Sequence, residues 1–592
     1  MQGDYQFERL YRNLYNPDFY LLAYQNLYAN KGAMTAGIDG MTLDGLNMRR
    51  IESLIRSLKD HSYQPHAARR KYIPKKSGKG QRPLGIPAAN DKLVQEIVRM
   101  LLESIYEPTF SASSHGFRPK RSCHTALLQV HNTFTGVKWF VEGDIKAYFD
   151  TIDHHTLVDI LRRRIKDESL IELVWKFLKA GYLENWEYNR TYSGTPQGSG
   201  ISPLLANLYL HELDVYMEEY KRQFDRGNAR ATCKSYARIT RALRHVRQKY
   251  SAIWPTLGKD EKKTAQREIK TLRRQLFQYP PTDPMDASYR RIQYVRYADD
   301  FLVGIIGNKA DAEKVKLDIG NFLAKRLKLT MSPEKTLVTH GQDKARFLGY
   351  DITICQSAAT KQTSKGQVRV YANRVKLLVP KEKWLGKLME YGILKITKDQ
   401  YGRDKWKPVH RSDFMGMEPR EIVFMYNAQI RGMYNFYRLA GNVSALSQFY
   451  HVMEYSMHKT FAGKFKTSVA KVKAKYTCNG AFGVSYQTKT GPKRITFYAG
   501  GFARIATPLW EGIDIKPECT KSYKLGELIF RIKAGTCELC GIGQTQVSVH
   551  QVKRLKDLSG TFPWERVMLQ KRRKTLIVCE ECHQVIHSGD HE

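Results

Sequence analysis

The sequence contains no run of about 18 apolar residues, the length a helical membrane span requires. No helix is therefore expected to cross a bilayer. The opening residues Met1-Gln2-Gly3-Asp4-Tyr5 lack a charged segment followed by an apolar core, so no signal peptide is expected. Cysteine is scarce: 9 in 592 residues, an odd count, with five standing singly. That usage argues against a disulfide framework and for a reducing compartment; the cytoplasm is expected, with an organellar origin left open, and no membrane partner. Tandem repeats of solenoid period are absent, which excludes a stacked-repeat scaffold. Acidic residues are in deficit, with 58 Asp and Glu against 97 Lys and Arg, a net charge of +39.

What is present points to a polyanionic partner. The positive charge is spread along the chain and is not confined to a tail, which suits an extended phosphate-tracking surface whose affinity falls steeply with salt. The 35 Tyr and 24 Phe interleaved with the cations favour base stacking over an anionic membrane surface. The length suffices for roughly three or four domains.

The densest chemical signal is Ile292-Gln293-Tyr294-Val295-Arg296-Tyr297-Ala298-Asp299-Asp300-Phe301-Leu302-Val303-Gly304. Adjacent carboxylates inside an apolar, strand-forming run predict a β-hairpin with the acids at its tip. Two like charges there are costly unless a cation shares them, and Mg²⁺ suits hard oxygen ligands completed by substrate phosphates. Taken alone, a solvated acidic turn remains an alternative. A second apolar run, Trp139-Phe140-Val141-Glu142-Gly143, ends in Asp144. Alone, Asp144 could be a helix N-cap. Together, the two motifs form the carboxylate set of a palm-type polymerase, in which a pair of metal ions serves an in-line phosphoryl displacement.

Along the chain, residues 1 to about 70 read as largely helical, with a loop over 30–40. Residues 71 to 125 read as strand, Gly-Lys turn, strand, then an amphipathic helix around Lys92 to Tyr106 stopped by Pro108. Palm motifs occupy about 138–215 and 290–350. The basic stretch 218–290 between them is an insertion or a solvated helical hairpin. A Ser/Thr/Gly/Lys-rich stretch near 355–368 suggests a linker. Beyond it, 375–475 turns helical and basic, 485–530 is irregular, and the last residues form a cysteine- and histidine-rich module.

Further motifs stand in order: Arg82-Pro83-Leu84-Gly85-Ile86-Pro87, Ser114-His115-Gly116-Phe117-Arg118-Pro119, Asp144, Gly194-Thr195-Pro196-Gln197-Gly198-Ser199, Tyr297 to Asp300, Ser332-Pro333-Glu334-Lys335-Thr336 and Phe347-Leu348-Gly349-Tyr350. This set resembles the reverse transcriptase blocks of group II intron-encoded proteins, and the resemblance runs the full length of the chain. It implies a multidomain α+β protein: an N-terminal extension (1–70), right-hand fingers and palm (71–360), an α-helical thumb or maturase domain (370–480), a DNA-binding region (485–530) and a small zinc-stapled ββα-metal, or HNH, domain (531–592).

By the resemblance, Asp144 and Asp299 hold the two Mg²⁺ ions, the Ile145 carbonyl adds a ligand, and Asp300 supports them. Phe149 matches the aromatic gate that favours deoxynucleotides. Lys75 and Arg82 would grip the triphosphate. Gln197 would lie against the incoming nucleotide, and Lys335 would assist the leaving pyrophosphate. Phe347, Leu348, Gly349 and Tyr350 match the primer grip. The loop 30–40 matches an extension that contacts template and intron RNA in the family, or is an ordinary connection. In the thumb, the apolar positions of 420–432 read as core. The lysines 459, 464, 466, 471, 473 and 475 form an RNA face or a solvated one.

In the tail, Cys537-Glu538-Leu539-Cys540 and Cys579-Glu580-Glu581-Cys582 have the thiolate spacing of a structural Zn²⁺ site, a staple that a domain this small needs. His550, His583 and His587 are similar to the divalent-metal and catalytic histidines of HNH nucleases. The usual general base position is Gln551, which cannot take a proton near neutral pH. Either His550 or another histidine serves, or cleavage is weak or lost. The partners implied are intron lariat RNA, target double-stranded DNA and dNTPs, with a homodimer allowed in the ribonucleoprotein. The rival readings are a splicing factor that has lost its chemistry and a polymerase of another lifestyle.

Overall fold

The computed structural model describes residues 5–30, 32–74, 81–184, 187–189, 194, 198–283, 286–355, 359–364, 366–369, 373–488, 491–508 and 526–588. Lys75 and Gln197 lie outside them.

The palm is a four-stranded antiparallel sheet in the order Arg291–Tyr297, Asp300–Ile306, Trp139–Gly143, Leu337–His340. The first two strands form the expected hairpin: Tyr297 pairs with Asp300, leaving Ala298 and Asp299 as its turn. Ala298 sits at φ 56, a left-handed conformation that the two-residue turn requires. Helices Ser202–Phe224 and Lys309–Leu327 pack on this sheet, so Val141, Phe301, Val303 and Ile305 are almost wholly buried.

The N-terminal helices Pro17–Leu27 and Met48–Lys59 are capped by the side chains of Asn16 and Asn47, each satisfying a free N–H of the first turn. They pack near the long helix Ala89–Tyr106, whose end runs into the 3-10 turn Glu107–Thr109. The hairpin Ala68–Pro74 with Gln81–Ile86 forms the fingers edge. The basic stretch between the palm halves is a hairpin of two helices, Lys234–Ile253 and Lys259–Gln278, in which only Ile239, Leu243, Val246 and Ala265 are buried among the described residues. Paired bridges, Arg226 with Arg290 and Thr232 with Thr282, close its base.

The thumb region holds helices Lys381–Glu390, Pro419–Tyr437, Leu446–Lys464 and Val469–Tyr476. It is not purely helical, as the resemblance implied: strands Leu394–Lys398 and Asp404–Pro408 form a hairpin. The start of the stretch 485–530, expected to be irregular, is instead ordered: Ala481–Thr488 and Gly491–Thr496 form a second hairpin packed on helix Pro419–Tyr437. Lysine-rich sequence hid the first pair, whose faces are mostly exposed, whereas Gly483, Gly491 and Pro492, residues depleted in strands, masked the second. The stretch read as a linker contains a short hairpin of its own, Thr360–Thr363 with Gly366–Arg369.

The C-terminal module has the ββα order: strands Val547–Gln551 and Thr575–Cys579, then helix Glu580–Ser588. A third strand joins its sheet from the other end of the chain. Leu46 pairs with Val549 and Asn47 with Ser548. Val547, Val549 and Ile577 accordingly share one core with the N-terminal helices and the palm, while Met568, Leu576, Val578 and Ile586 form a separate small core around the cysteines.

Candidate active sites

The three palm carboxylates converge. Asp144 follows strand Trp139–Gly143, which is flanked by strand Asp300–Ile306, so Asp144 faces the tip of the acid hairpin. Lys335 reaches in from the next loop, its Nζ 2.7 Å from Asp144 Oδ2. Burial is the largest influence on Asp299 and lifts its pKa; the charge of Asp144 adds to this, while Lys335 and Arg82 pull it down. Asp300 opens to solvent on one side, yet protein crowds it on the other. That desolvation, then the charges of Asp299 and Asp144, push its carboxyl up to about 7. Such a cluster holds more negative charge than it can keep ionised, and its oxygen donors fit divalent ions. Ile145 is buried and bridges Met331 across a wide pair, with the linking bonds made by Lys146 N–H and Ser332 N–H. In that pairing the Ile145 carbonyl points away from Met331.

An ion pair that sequence reasoning passed over braces the hairpin. Arg296 and Asp214 are both fully buried, with Arg296 Nη2 2.6 Å and Nε 2.8 Å from the two carboxylate oxygens. The same guanidinium donates to Ser114 Oγ, Asn207 Oδ1 and the carbonyl of Ala298, inside the acid turn. Gly116 lies against that turn so closely that a Cβ would stand 2.4 Å from Ala298 N. The motif from Ser114 to Pro119 is thus a seat for the acid hairpin. The available signal was a charged residue at an inward position of a strand.

Around the acids, Phe149 sits on the short helix Tyr148–Thr151, its ring 6.4 Å edge-on from Phe117. Gly194 takes φ 85 and lies so close to Phe149 and Asp150 that a Cβ would meet the Phe149 carbonyl at 2.6 Å. Gly198 makes a like approach to Gly85. The loop ends that flank Gln197 are therefore set against the fingers and against Phe149. Arg82 pairs with Ile73 in the fingers hairpin, close enough for its charge to act on Asp299. Phe347 and Tyr350 close a two-residue turn with Leu348 at φ 48 and Gly349 at φ 77. That turn abuts the thumb: Tyr437 donates to the Gly349 carbonyl at 3.1 Å, and Tyr350 donates to the Phe436 carbonyl.

In the C-terminal module the four thiol sulfurs of Cys537, Cys540, Cys579 and Cys582 all lie within 4.8 Å of one another. The Cys540–Cys579 separation is 3.8 Å, close to the edge of a tetrahedron with bonds of about 2.3 Å. Burial opposes ionisation of Cys537, yet the N–H groups of Cys540, Cys579 and Leu539 bring it down to about 6. Cys582 is driven upward by burial and then by its neighbouring thiols. A set in which one thiol ionises at the expense of the others is what a central cation relieves.

Beside it, His550 lies on strand Val547–Gln551, and His583 and His587 lie one turn apart on helix Glu580–Ser588. Asp44, from the N-terminal region, joins them: its carboxylate and the three imidazoles place one ligand atom each within 4.8 Å of one another. Nothing in the sequence near Asp44 marks it for this place. Gln551 is buried, and its side chain accepts from Tyr24 Oη at 2.9 Å and donates to the Tyr28 carbonyl at 2.7 Å. Gln551 thus serves as a contact between the C-terminal module and the N-terminal helix Pro17–Leu27 and the residue after it.

Three family models match the chain. A reverse transcriptase (RNA-dependent DNA polymerase) family model matches residues 73–237 and 267–352, leaving out most of the helical hairpin. A type II intron maturase model matches 372–497, and an AI2M/AI1M-like HNH endonuclease model matches 537–583. The group II intron-encoded protein LtrA of Lactococcus lactis subsp. cremoris is 44% identical, with 99% of this chain and 96% of LtrA covered. The chain belongs to the group II intron-encoded proteins. It is a reverse transcriptase and maturase with an HNH endonuclease domain. An uncharacterized 91 kDa protein in the cob intron of Schizosaccharomyces pombe is 33% identical over 98% of this chain and 70% of its own length. The putative COX1/OXI3 intron 1 protein of Saccharomyces cerevisiae is 33% identical over 97% and 68%.

Within this intron-encoded protein, the thumb lysines divide into two groups. Lys459 donates to the Pro408 carbonyl at 2.8 Å and Lys464 to the Met415 carbonyl at 3.0 Å. Those two tie the thumb to itself, while Lys466, Lys471, Lys473 and Lys475 stand exposed. No described helix is long and apolar enough to cross a membrane.

Proposed function

We propose that the protein binds its own intron RNA, promotes splicing and reverse splicing of the lariat into double-stranded DNA, nicks the other strand, and copies the intron from the new 3′ end. The observation that carries this reading is the presence, in one chain, of a braced palm carboxylate cluster and a separate histidine–carboxylate cluster, joined by a maturase region. Asp144 and Asp299, with the Ile145 carbonyl, would hold two Mg²⁺ ions, and Asp300 would add charge to the site. Ions so placed supply charge neutralisation for the attacking hydroxyl and the departing pyrophosphate. Arg82, with Lys75, grips the triphosphate of a dNTP, and Lys335 assists the leaving pyrophosphate. Phe149 excludes a 2′-hydroxyl, Gln197 backs the nucleotide, and Phe347 to Tyr350 hold the primer against the thumb. The exposed thumb lysines from 466 to 475 contact RNA, and 485–530 contributes to DNA binding. Cys537, Cys540, Cys579 and Cys582 fit a structural Zn²⁺. His550, His583 and His587 fit the divalent ion of the nuclease.

The test is extension of a DNA primer on an RNA template by the full-length protein. Wild type extends; Asp299→Ala, correctly folded, does not. Extension that survives in the variant would refute the assignment, and no extension by wild type would favour a splicing factor without polymerase chemistry.

A further inference from the structure

The nuclease cluster is completed from the far end of the chain. Gly45 at φ 70 brings the N-terminal segment past His583 into the module's sheet, where Gly45 N–H donates to the Val549 carbonyl at 3.0 Å. Asp44 stands at the entry to that strand. Its Oδ1 accepts from Gln551 N–H at 2.6 Å and lies 3.6 Å from His550 Nδ1. Its Oδ2 lies 2.9 Å from His587 Nε2 and 3.6 Å from His583 Nε2. Arg50 holds the Asp44 carbonyl at 3.3 Å and reaches Asn90 of helix Ala89–Tyr106 at 2.7 Å, which ties the carboxylate to the body of the polymerase.

The second observation is His550 itself. It is 4% exposed, and neither ring nitrogen has a hydrogen-bond partner. A buried imidazole left so carries a desolvation penalty that no hydrogen bond offsets. A cation at the centre of the four donors removes that cost, and spacings under 4.8 Å suit ligands of one ion.

We propose that Asp44 is a ligand of the divalent ion at the nuclease centre, so that the centre is complete only while the C-terminal module is docked on the N-terminal region. This rests on the reading of His550, His583 and His587 as the nuclease metal site. It makes the docked strand Leu46–Asn47 part of the nuclease and couples nicking to the polymerase body. A carboxylate also adds the hard oxygen donor that Mn²⁺ and Mg²⁺ favour over a site of histidines alone.

The test uses the full chain carrying one equivalent of zinc, with Asp144→Asn and Asp299→Asn to silence the palm, titrated with Mn²⁺ and followed by electron paramagnetic resonance. The parent is expected to bind one Mn²⁺, His550→Ala to lose it, and Asp44→Asn to bind about tenfold or more weakly. The carboxamide in Asp44→Asn keeps an Oδ1 for Gln551 N–H, so the melting temperature should hold. Asp44→Cys should shift preference from Mn²⁺ towards Cd²⁺. Unchanged Mn²⁺ affinity in Asp44→Asn beside its loss in His550→Ala would overturn the role of Asp44 while leaving the histidine site standing. No Mn²⁺ in the parent would overturn both readings. Faster nicking by Asp44→Asn with Mn²⁺ retained would show Asp44 to be a plug and overturn the proposal.

Discussion

The acid turn depends on two side chains that never touch a nucleotide. Removing Asp214 leaves the Arg296 guanidinium charged and fully buried, at a cost of about 3–5 kcal/mol. Asp214→Ala is therefore expected to lower the melting temperature sharply and to disorder the turn that carries Asp299, measured by calorimetry and by primer extension below the new transition. The acids themselves act in the opposite sense. With its carboxyl raised to about 7 by crowding and by Asp299 and Asp144, Asp300 contributes stability that is fully present below the ordinary carboxylate range and is lost as pH rises through about 7. Asp300→Asn should thus melt higher than wild type at pH 8 in metal-free buffer, equal it near pH 4, and lose polymerase activity. A melting temperature lower than wild type at pH 8 would contradict the electrostatic account. At this scale the sequence disclosed Asp144, Asp299, Asp300 and the four cysteines because each sits in a local pattern of apolar run or paired spacing. Arg296 was visible only as an oddity, and Asp44 not at all, since its partners lie hundreds of residues away and only the folded chain brings them together.

Among elements, the palm hairpin was legible because its strands are strongly apolar, while the ββα order of the tail was expected from the resemblance that its cysteine and histidine spacing carries. The strand Leu46–Asn47 was not, because two residues carry no periodicity and gain their form wholly from pairing with Val549 and Ser548. The thumb hairpin Leu394–Lys398 with Asp404–Pro408 was hidden for a related reason: apart from Leu394 its residues are exposed or half-buried, and lysines alternate with few apolar partners. The module stands on two supports, its own cysteine cluster and this borrowed strand. Chelating the Zn²⁺ proposed for the four cysteines should unfold helix Glu580–Ser588 and its sheet, because such an ion supplies folding free energy to a core this small. Circular dichroism and limited proteolysis would show loss of the tail with the palm intact; a tail that resists proteolysis after complete removal would contradict it. The docking contact predicts a further result. Gln551→His places an imidazole where a carboxamide both accepts from Tyr24 and donates to the Tyr28 carbonyl. That variant should release the module more readily and nick no faster, although it restores the residue usual for a general base.

For the whole molecule, the +39 charge sets the energetics of assembly. Binding of intron RNA should weaken steeply and log-linearly with salt, and replacing Lys466, Lys471, Lys473 and Lys475 by glutamine should reduce that slope. Lys459→Gln and Lys464→Gln should instead lower stability, because their ammonium groups serve thumb carbonyls. An equal effect of both sets on the slope would contradict the division. On the proposed function, one chain joins two chemistries through its docked tail. The direct measurement is target-primed synthesis by the protein bound to its lariat RNA on a strand-labelled DNA target. A nick in one strand and cDNA starting at that nick are expected, with His550→Ala abolishing both while still extending an annealed primer. Wild-type cDNA that starts at the target without any nick, or His550→Ala that nicks as wild type does, would contradict the proposed function.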